Sequence, residues 1–160
     1  MKFVLLITLW VGSNLAAFDI EDIRKGYVKA VKSKATTQKY LKHFQTNKPG
    51  NPLLACYKGV FYCLSAKHAF LPTEKLSNLQ TGLVFINDAV GKSPEDMEIR
   101  FHRYAIEKGI PGFVKFKDHT RSDKQFIVEH YDSLHPFANV IYKYMIGKGG
   151  CKASDFKGKG

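Results

Sequence analysis

The segment NPLLACYKGVFYCLSAKH, residues 51–68, is the least polar of the helical segments that this sequence predicts. Asn51 followed by Pro52 is typical of a helix start, because asparagine caps free N–H groups and proline is tolerated in the first turn. The residues that follow are apolar on most faces and leave little beyond Lys58 and Lys67 for water. A helix of this kind is buried on nearly all sides. The sequence therefore predicts a central helix around which the rest of the chain packs.

Capping signals and apolar residues at three-four spacing predict six further helices. Asp19 precedes such a pattern, Ser93-Pro94 opens another, and Ser122 to Gln125 forms a capping box. Residues 110–117 begin with two helix and strand breakers, which favours a loop over a strand. We therefore expect an all-α fold of about seven helices. The predicted helices cover residues 19–34, 37–46, 51–68, 73–91, 93–109, 122–134 and a last one from 136.

Composition limits the class of protein. The chain has 160 residues, 44% of them hydrophobic, and a net charge of +11. This length suits one compact domain, and the charge disfavours an acidic disordered protein. Its three cysteines are too few for a disulfide scaffold. Cys56 and Cys63, seven apart on one helix, lie about 10.5 Å apart and cannot pair, whereas Cys151 could pair only if the tail folds back.

Both ends of the chain differ from the middle. Residues 1–17 carry a lysine, an apolar run and small residues before a cleavage site expected after Ala17, which predicts a signal peptide and export to the periplasm or beyond. The run is too short to span a bilayer, so no transmembrane segment is expected after its removal. A buried N-terminal helix is the alternative. Residues 18–146 are expected to form the domain, and residues 147–160, rich in glycine and lysine, a flexible basic tail.

Two resemblances add to this picture. The spacing of Gly82, Ile86, Ala89 and Pro94 resembles the second helix of a tetratricopeptide repeat, which implies a short solenoid of helical hairpins. The whole chain also resembles a group of uncharacterised exported bacterial helical proteins, which implies export and a repeat-like fold but supplies no catalytic residues. The segments that carry this second resemblance are residues 51–59, 86–90, 98–103 and 123–127.

The sequence offers little to support catalysis. None of the six histidines stands at a metal-binding spacing, so we expect neither a metal nor a cofactor. A secreted glycan hydrolase would need two carboxylates about 5 to 9.5 Å apart. The candidates are predicted to lie on exposed helix faces or in first turns, so a non-enzymatic protein is favoured and a hydrolase is the alternative. These candidates are Glu74, Glu98, Glu107 and Glu129.

Two arginines form a separate candidate. Arg100 and Arg103 share a predicted helix, and Asp123 comes from the next one. Because a guanidinium group suits a carboxylate, we expect a buried ion pair that joins the two helices. The alternative is that the arginines hold a carboxylate or phosphate of a partner.

Charge is concentrated early in the chain. Residues 23–73 carry ten basic residues and no acidic one, whereas residues 74–134 carry nine basic and ten acidic residues. A lysine-rich face can attract an acidic protein or an anionic envelope component, so we predict a binding or scaffolding module. Nucleic acid is disfavoured because no readout motif occurs. A structural envelope protein with a solvated basic face is the alternative. The predicted binding residues are Lys25, Lys29, Lys32, Lys39, Lys42, Arg100 and Arg103.

Overall fold

Seven α-helices and one short 3₁₀ helix make up the part of the chain that the computed structural model describes, residues 18–156, and this part contains no strand. The all-α class and the number of helices are therefore confirmed. The predicted signal peptide and the last four residues lie outside the described range. The helices are α1 (Ile20–Ala30), α2 (Lys34–Thr46), α3 (Pro52–His68), α4 (Pro72–Lys92), α5 (Met97–Lys108), α6 (Thr120–Glu129) and α7 (Ala138–Gly147), followed by a 3₁₀ helix at Ala153–Phe156.

Side-chain caps fix where several helices begin. The Asn51 side chain accepts a hydrogen bond from the Leu54 N–H at 2.9 Å, so α3 begins where the sequence predicts. The predicted start of α5 at Ser93 was wrong. Its cap is Asp96, which accepts a hydrogen bond from the Ile99 N–H, and residues 93–96 form a turn. α6 begins at Thr120, so the predicted cap at Ser122 was also wrong.

α3 occupies the centre of the domain. It contacts α1, α2, α4 and α5, and its Tyr57, Val60 and Phe61 are fully buried. α4 packs closest to it, because Gly59 and Gly82 face each other. A Cβ atom on Gly59 would lie 2.5 Å from the Gly82 carbonyl oxygen, so only glycine permits this helix spacing. The predicted central helix is confirmed, whereas a tetratricopeptide-like order of hairpins stays a prediction.

The α1–α2 hairpin packs against α3 rather than standing apart from it. The Tyr40 ring of α2 stacks on Phe61 of α3 with ring centres 5.0 Å apart. Its hydroxyl donates to the Asp22 carbonyl of α1 at 2.9 Å. One tyrosine thus joins three helices, and the outer faces of α1 and α2 remain free for solvent.

The C-terminal segment is packed through residue 156. The Tyr104 hydroxyl donates to the Gly149 carbonyl at 2.7 Å, and the Phe156 ring meets Tyr131 edge-on. Cys151 and Phe156 are buried in the core. The flexible tail predicted from residue 147 is therefore wrong for residues 147–156, because two apolar side chains in this glycine-rich segment pack into the core. All three cysteines are buried and free.

Candidate functional site

The outer face of α1 carries a row of lysines. Lys25 and Lys29 are four residues apart on α1, which places them on one side of the helix, and Lys32 follows in the turn after the helix. All three are exposed, whereas Ile23 and Tyr27 on the opposite side are buried in the core. The shared side predicted for these lysines holds for Lys25 and Lys29, whereas Lys32 lies beyond the end of α1 and not on the helix.

α2 extends this row with Lys39 and Lys42, both exposed. The Lys39 ammonium lies 5.0 Å from the centre of the Phe18 ring and 5.7 Å from that of Tyr40. An aromatic ring attracts a cation through its electron-rich face, so Lys39 is held beside the segment that precedes α1. We call the five lysines of α1, α2 and the turn between them the lysine face. Its members are Lys25, Lys29, Lys32, Lys39 and Lys42.

No carboxylate neutralises this face among the described residues. None of its five lysines lies within 4 Å of an aspartate or glutamate oxygen in residues 18–156; the lysine ion pair found there is that of Lys92 with Asp88 on α4, at 2.7 Å. Like charges at such spacings repel each other by a few tenths of a kcal/mol per pair. The lysine face thus presents uncompensated positive charge to its surroundings.

Arg100 and Arg103 form internal ion pairs and are not exposed as the lysines are. Arg103 donates two hydrogen bonds to the Asp123 carboxylate, at 2.7 and 2.8 Å, and a third to the Asn87 side chain. The Arg100 Nε atom forms an ion pair with the same carboxylate at 2.7 Å, and its guanidinium stacks on Phe126. The expected bridge between α5 and α6 is present. Because these guanidinium groups are engaged internally, they are not part of the exposed lysine face.

A second buried ion pair lies around Glu98, which is 0% exposed. Arg24 donates to both carboxylate oxygens, at 3.0 and 2.6 Å, and the Tyr57 hydroxyl donates to one of them. The His135 Nε2 atom is 3.7 Å from the other oxygen. Burial alone would raise the pKa of Glu98, but Arg24, the nearby His102 and the Tyr57 hydroxyl lower it below its ordinary value. Glu98 therefore joins α1, α3 and α5 as a carboxylate.

His102 lies beside this pair and is enclosed by aromatic rings. The ring centres of Tyr57 and Tyr27 are 4.5 and 4.8 Å away. Neither ring nitrogen has a hydrogen-bond partner among the described residues. Burial lowers the pKa of His102 to about 4, although the charge of Glu98 opposes the shift. This histidine is therefore neutral near pH 7.

The burial of Glu98 and Glu107 is a feature that the sequence prediction missed. Glu107 accepts hydrogen bonds from the backbone N–H and from the ring Nδ1 of His119, both at 2.7 Å. The prediction that both acids lie on exposed faces was wrong, because α5 is enclosed by other parts of the chain on nearly all sides. The sequence did contain one sign of a buried ion pair. Arg24 lies four residues after Ile20 and three before Tyr27, so it falls on the apolar side of α1 and needs a buried acid.

The described residues contain neither a metal-binding cluster nor a membrane-spanning helix. No three histidine, cysteine, aspartate or glutamate side chains in residues 18–156 are close enough to hold a metal ion. In the same range, no helix is both long and apolar enough to cross a bilayer. A surface groove with a volume of about 510 Å³ lies along the loop after α5, lined by Glu107, Ile110, Val114 and Phe116.

Comparisons with protein-family models, with curated proteins and with solved structures find no match to this chain.

Proposed function

We propose that this domain is a binding module that holds an anionic partner on the lysine face of α1 and α2. The observation that carries the proposal is a contrast between three arginines, which form internal ion pairs, and the lysines of this face, which are exposed. Arg24, Arg100 and Arg103 are engaged in internal ion pairs with acids. The five lysines are exposed and have no carboxylate within 4 Å in the described part of the chain. Exposed lysines also lie elsewhere on the domain, but on this face five of them are found together without an ion pair to an acid.

A surface of this kind attracts its partner by long-range electrostatics. Clustered like charges raise the local concentration of counter-ions and speed the association of an oppositely charged partner. The partner classes that fit are an acidic protein or an anionic component of a cell envelope. Export through the signal peptide expected at residues 1–17 is part of this proposal.

A hydrolase is less well supported by the positions of the buried acids. Glu98 and Glu107 are nine residues apart on α5, so they are separated by about 13.5 Å along the helix axis. That exceeds the roughly 9.5 Å at which two carboxylates flank a glycosidic bond. Each is also held by its own internal partners. A binding role without catalysis is accordingly the one we propose.

The test compares two variants of equal net charge on an anionic chromatography matrix. In the first, Lys25, Lys29 and Lys32 are all replaced by Glu. In the second, the same change is made at three exposed lysines after α5 or at its end. Far-ultraviolet circular dichroism confirms that both variants keep their helices. The control lysines are Lys108, Lys115 and Lys117.

We expect the lysine-face variant to elute at much lower salt than the wild type, and the control variant to elute only slightly earlier. Equal losses in the two variants would contradict the proposal, because retention would then follow net charge alone. A wild-type protein that is not retained at all would also contradict it.

A further inference from the structure

The turn between α3 and α4 exposes large apolar side chains to solvent. Phe70 is 90% exposed and Leu71 is 55% exposed, and Leu76 in the next turn of α4 is 47% exposed. A single exposed apolar residue is ordinary, but two adjacent ones at the tip of a helical hairpin, with a third on the helix that follows, are of the kind that marks an interaction site. The tip follows directly after the central helix α3, which fixes its position.

Lysines surround this apolar tip. The Lys67 ammonium donates to the Val31 carbonyl at 2.7 Å, and the His68 Nε2 atom is 3.3 Å from the Ala30 carbonyl. These contacts bring the turn between α1 and α2 to the same end of the domain. A small groove of about 50 Å³ there is lined by Lys34 and by a single acid, Glu74. The lysines at this end are Lys32, Lys34, Lys67 and Lys75, all exposed.

An apolar tip ringed by lysines matches the layered chemistry of a bilayer surface. Phenylalanine and leucine side chains enter the boundary between headgroups and acyl chains, and each nearby lysine gains from anionic headgroups. Lysine also has an apolar stem that can lie beside the tip while its charge stays among the headgroups. A dissolved polyanion would satisfy the lysines but would leave Phe70 in water.

We propose that this end of the domain docks on a bilayer with anionic headgroups, with Phe70 and Leu71 entering the interfacial layer. The inference rests on the proposed function, because it identifies the anionic partner as a lipid surface. Lys32 belongs both to the lysine face and to the docking end, so the two surfaces are continuous.

A tryptophan at the tip tests the proposal directly. Trp10 is the only tryptophan in the chain, so the double variant Trp10→Phe, Phe70→Trp reports fluorescence from position 70 alone. The probes are vesicles of phosphatidylcholine, with or without phosphatidylglycerol. We expect the emission to move to shorter wavelength, and to be quenched by brominated acyl chains, with phosphatidylglycerol vesicles only. A Trp10→Phe, Phe113→Trp variant is the matched control, since Phe113 is 86% exposed in another loop.

Loss of the apolar tip gives an independent measurement. We expect Phe70→Ser with Leu71→Ser to weaken sedimentation with anionic vesicles by at least about tenfold, because two interfacial side chains are lost. The control, Phe113→Ser with Leu134→Ser, removes two exposed apolar side chains elsewhere and should bind as the wild type does. All of these variants keep residues 1–17, so any binding by the apolar run in that segment is common to all of them. The difference between the variants therefore reports on the tip.

Three results would overturn the inference. If position 70 stays in water while the protein is still retained on an anionic matrix through its lysine face, the lipid docking is wrong and the proposed function stands. If neither vesicles nor matrix bind, both are wrong. If the emission of the Phe70→Trp variant shifts with protein concentration in the absence of vesicles, the tip is a self-association surface instead.

Discussion

The buried ring of His102 gives the fold a pH dependence that can be measured. Burial lowers its pKa to about 4 from an ordinary 6.5; the Glu98 charge opposes this change and the Arg24 charge adds to it. As the pH falls, the unfolded chain takes up a proton on this ring before the folded chain does. Stability from this site is therefore full above about pH 6.5 and is lost as the pH falls toward 4.

The size of the effect follows from the two pKa values. A tenfold difference in proton affinity corresponds to about 1.4 kcal/mol, so this ring lowers the free energy of unfolding by about 3 kcal/mol between about pH 7 and pH 4. Glu98 changes stability in the same direction at lower pH, because its pKa is lowered in the fold. The effect of His102 must therefore be isolated by comparing variants.

Urea unfolding followed by circular dichroism makes that comparison. We expect His102→Leu to gain about 3 kcal/mol relative to the wild type on going from about pH 7 to pH 4. The control is His130→Leu, at an exposed histidine whose ring stacks on Phe126, so the comparison is between the two pH values and not of absolute stability. A gain of about 3 kcal/mol in this control as well would show that the effect is not specific to His102. Parallel pH curves for the wild type and His102→Leu would show that the buried ring of His102 does not cause this pH dependence.

Two further substitutions test the packing, each with a matched control measured by urea unfolding. Glu98→Gln leaves the Arg24 charge buried without its carboxylate and should cost about 3 kcal/mol, whereas Asp88→Asn breaks an exposed pair and should cost under about 0.5 kcal/mol. A loss below about 1 kcal/mol for Glu98→Gln would show that the buried pair is not needed. Gly82→Ala should cost about 1 to 3 kcal/mol, because its Cβ would lie 2.6 Å from a backbone carbonyl of α3. Gly91→Ala meets no atom within 4 Å and should instead stabilise α4 by up to about 1 kcal/mol. Similar effects at the two glycines would contradict the close approach of α3 and α4.

The helices could be predicted because their signals are local. Asn51 and Pro52 mark the start of α3 within a few residues, and the spacing of Ile23 and Tyr27 identifies the buried side of α1. The lysine face follows from the same periodicity, since residues three or four apart share one side of a helix.

The buried polar groups could not be predicted because they depend on distant contacts. Glu98 meets Arg24 across 74 residues, and a helical pattern that assumes one solvent-facing side placed this acid in water. The packing of Phe156 into the core was missed for a similar reason. The glycine-rich composition near the C-terminus indicated flexibility and gave no sign of this distant contact. Sequence order alone does not show which helices enclose α5.

We propose that the lysine face binds its anionic partner as one continuous surface. The most direct test of this proposal is the affinity for one soluble polyanion of single Lys→Gln variants at the five positions of this face. The comparison set is five exposed lysines elsewhere: Lys108, Lys115, Lys117, Lys143 and Lys152. We expect each change on the lysine face to cost about 0.5 kcal/mol, roughly twofold in Kd, and the others to have almost no effect. Equal losses at all ten positions would contradict a dedicated binding surface.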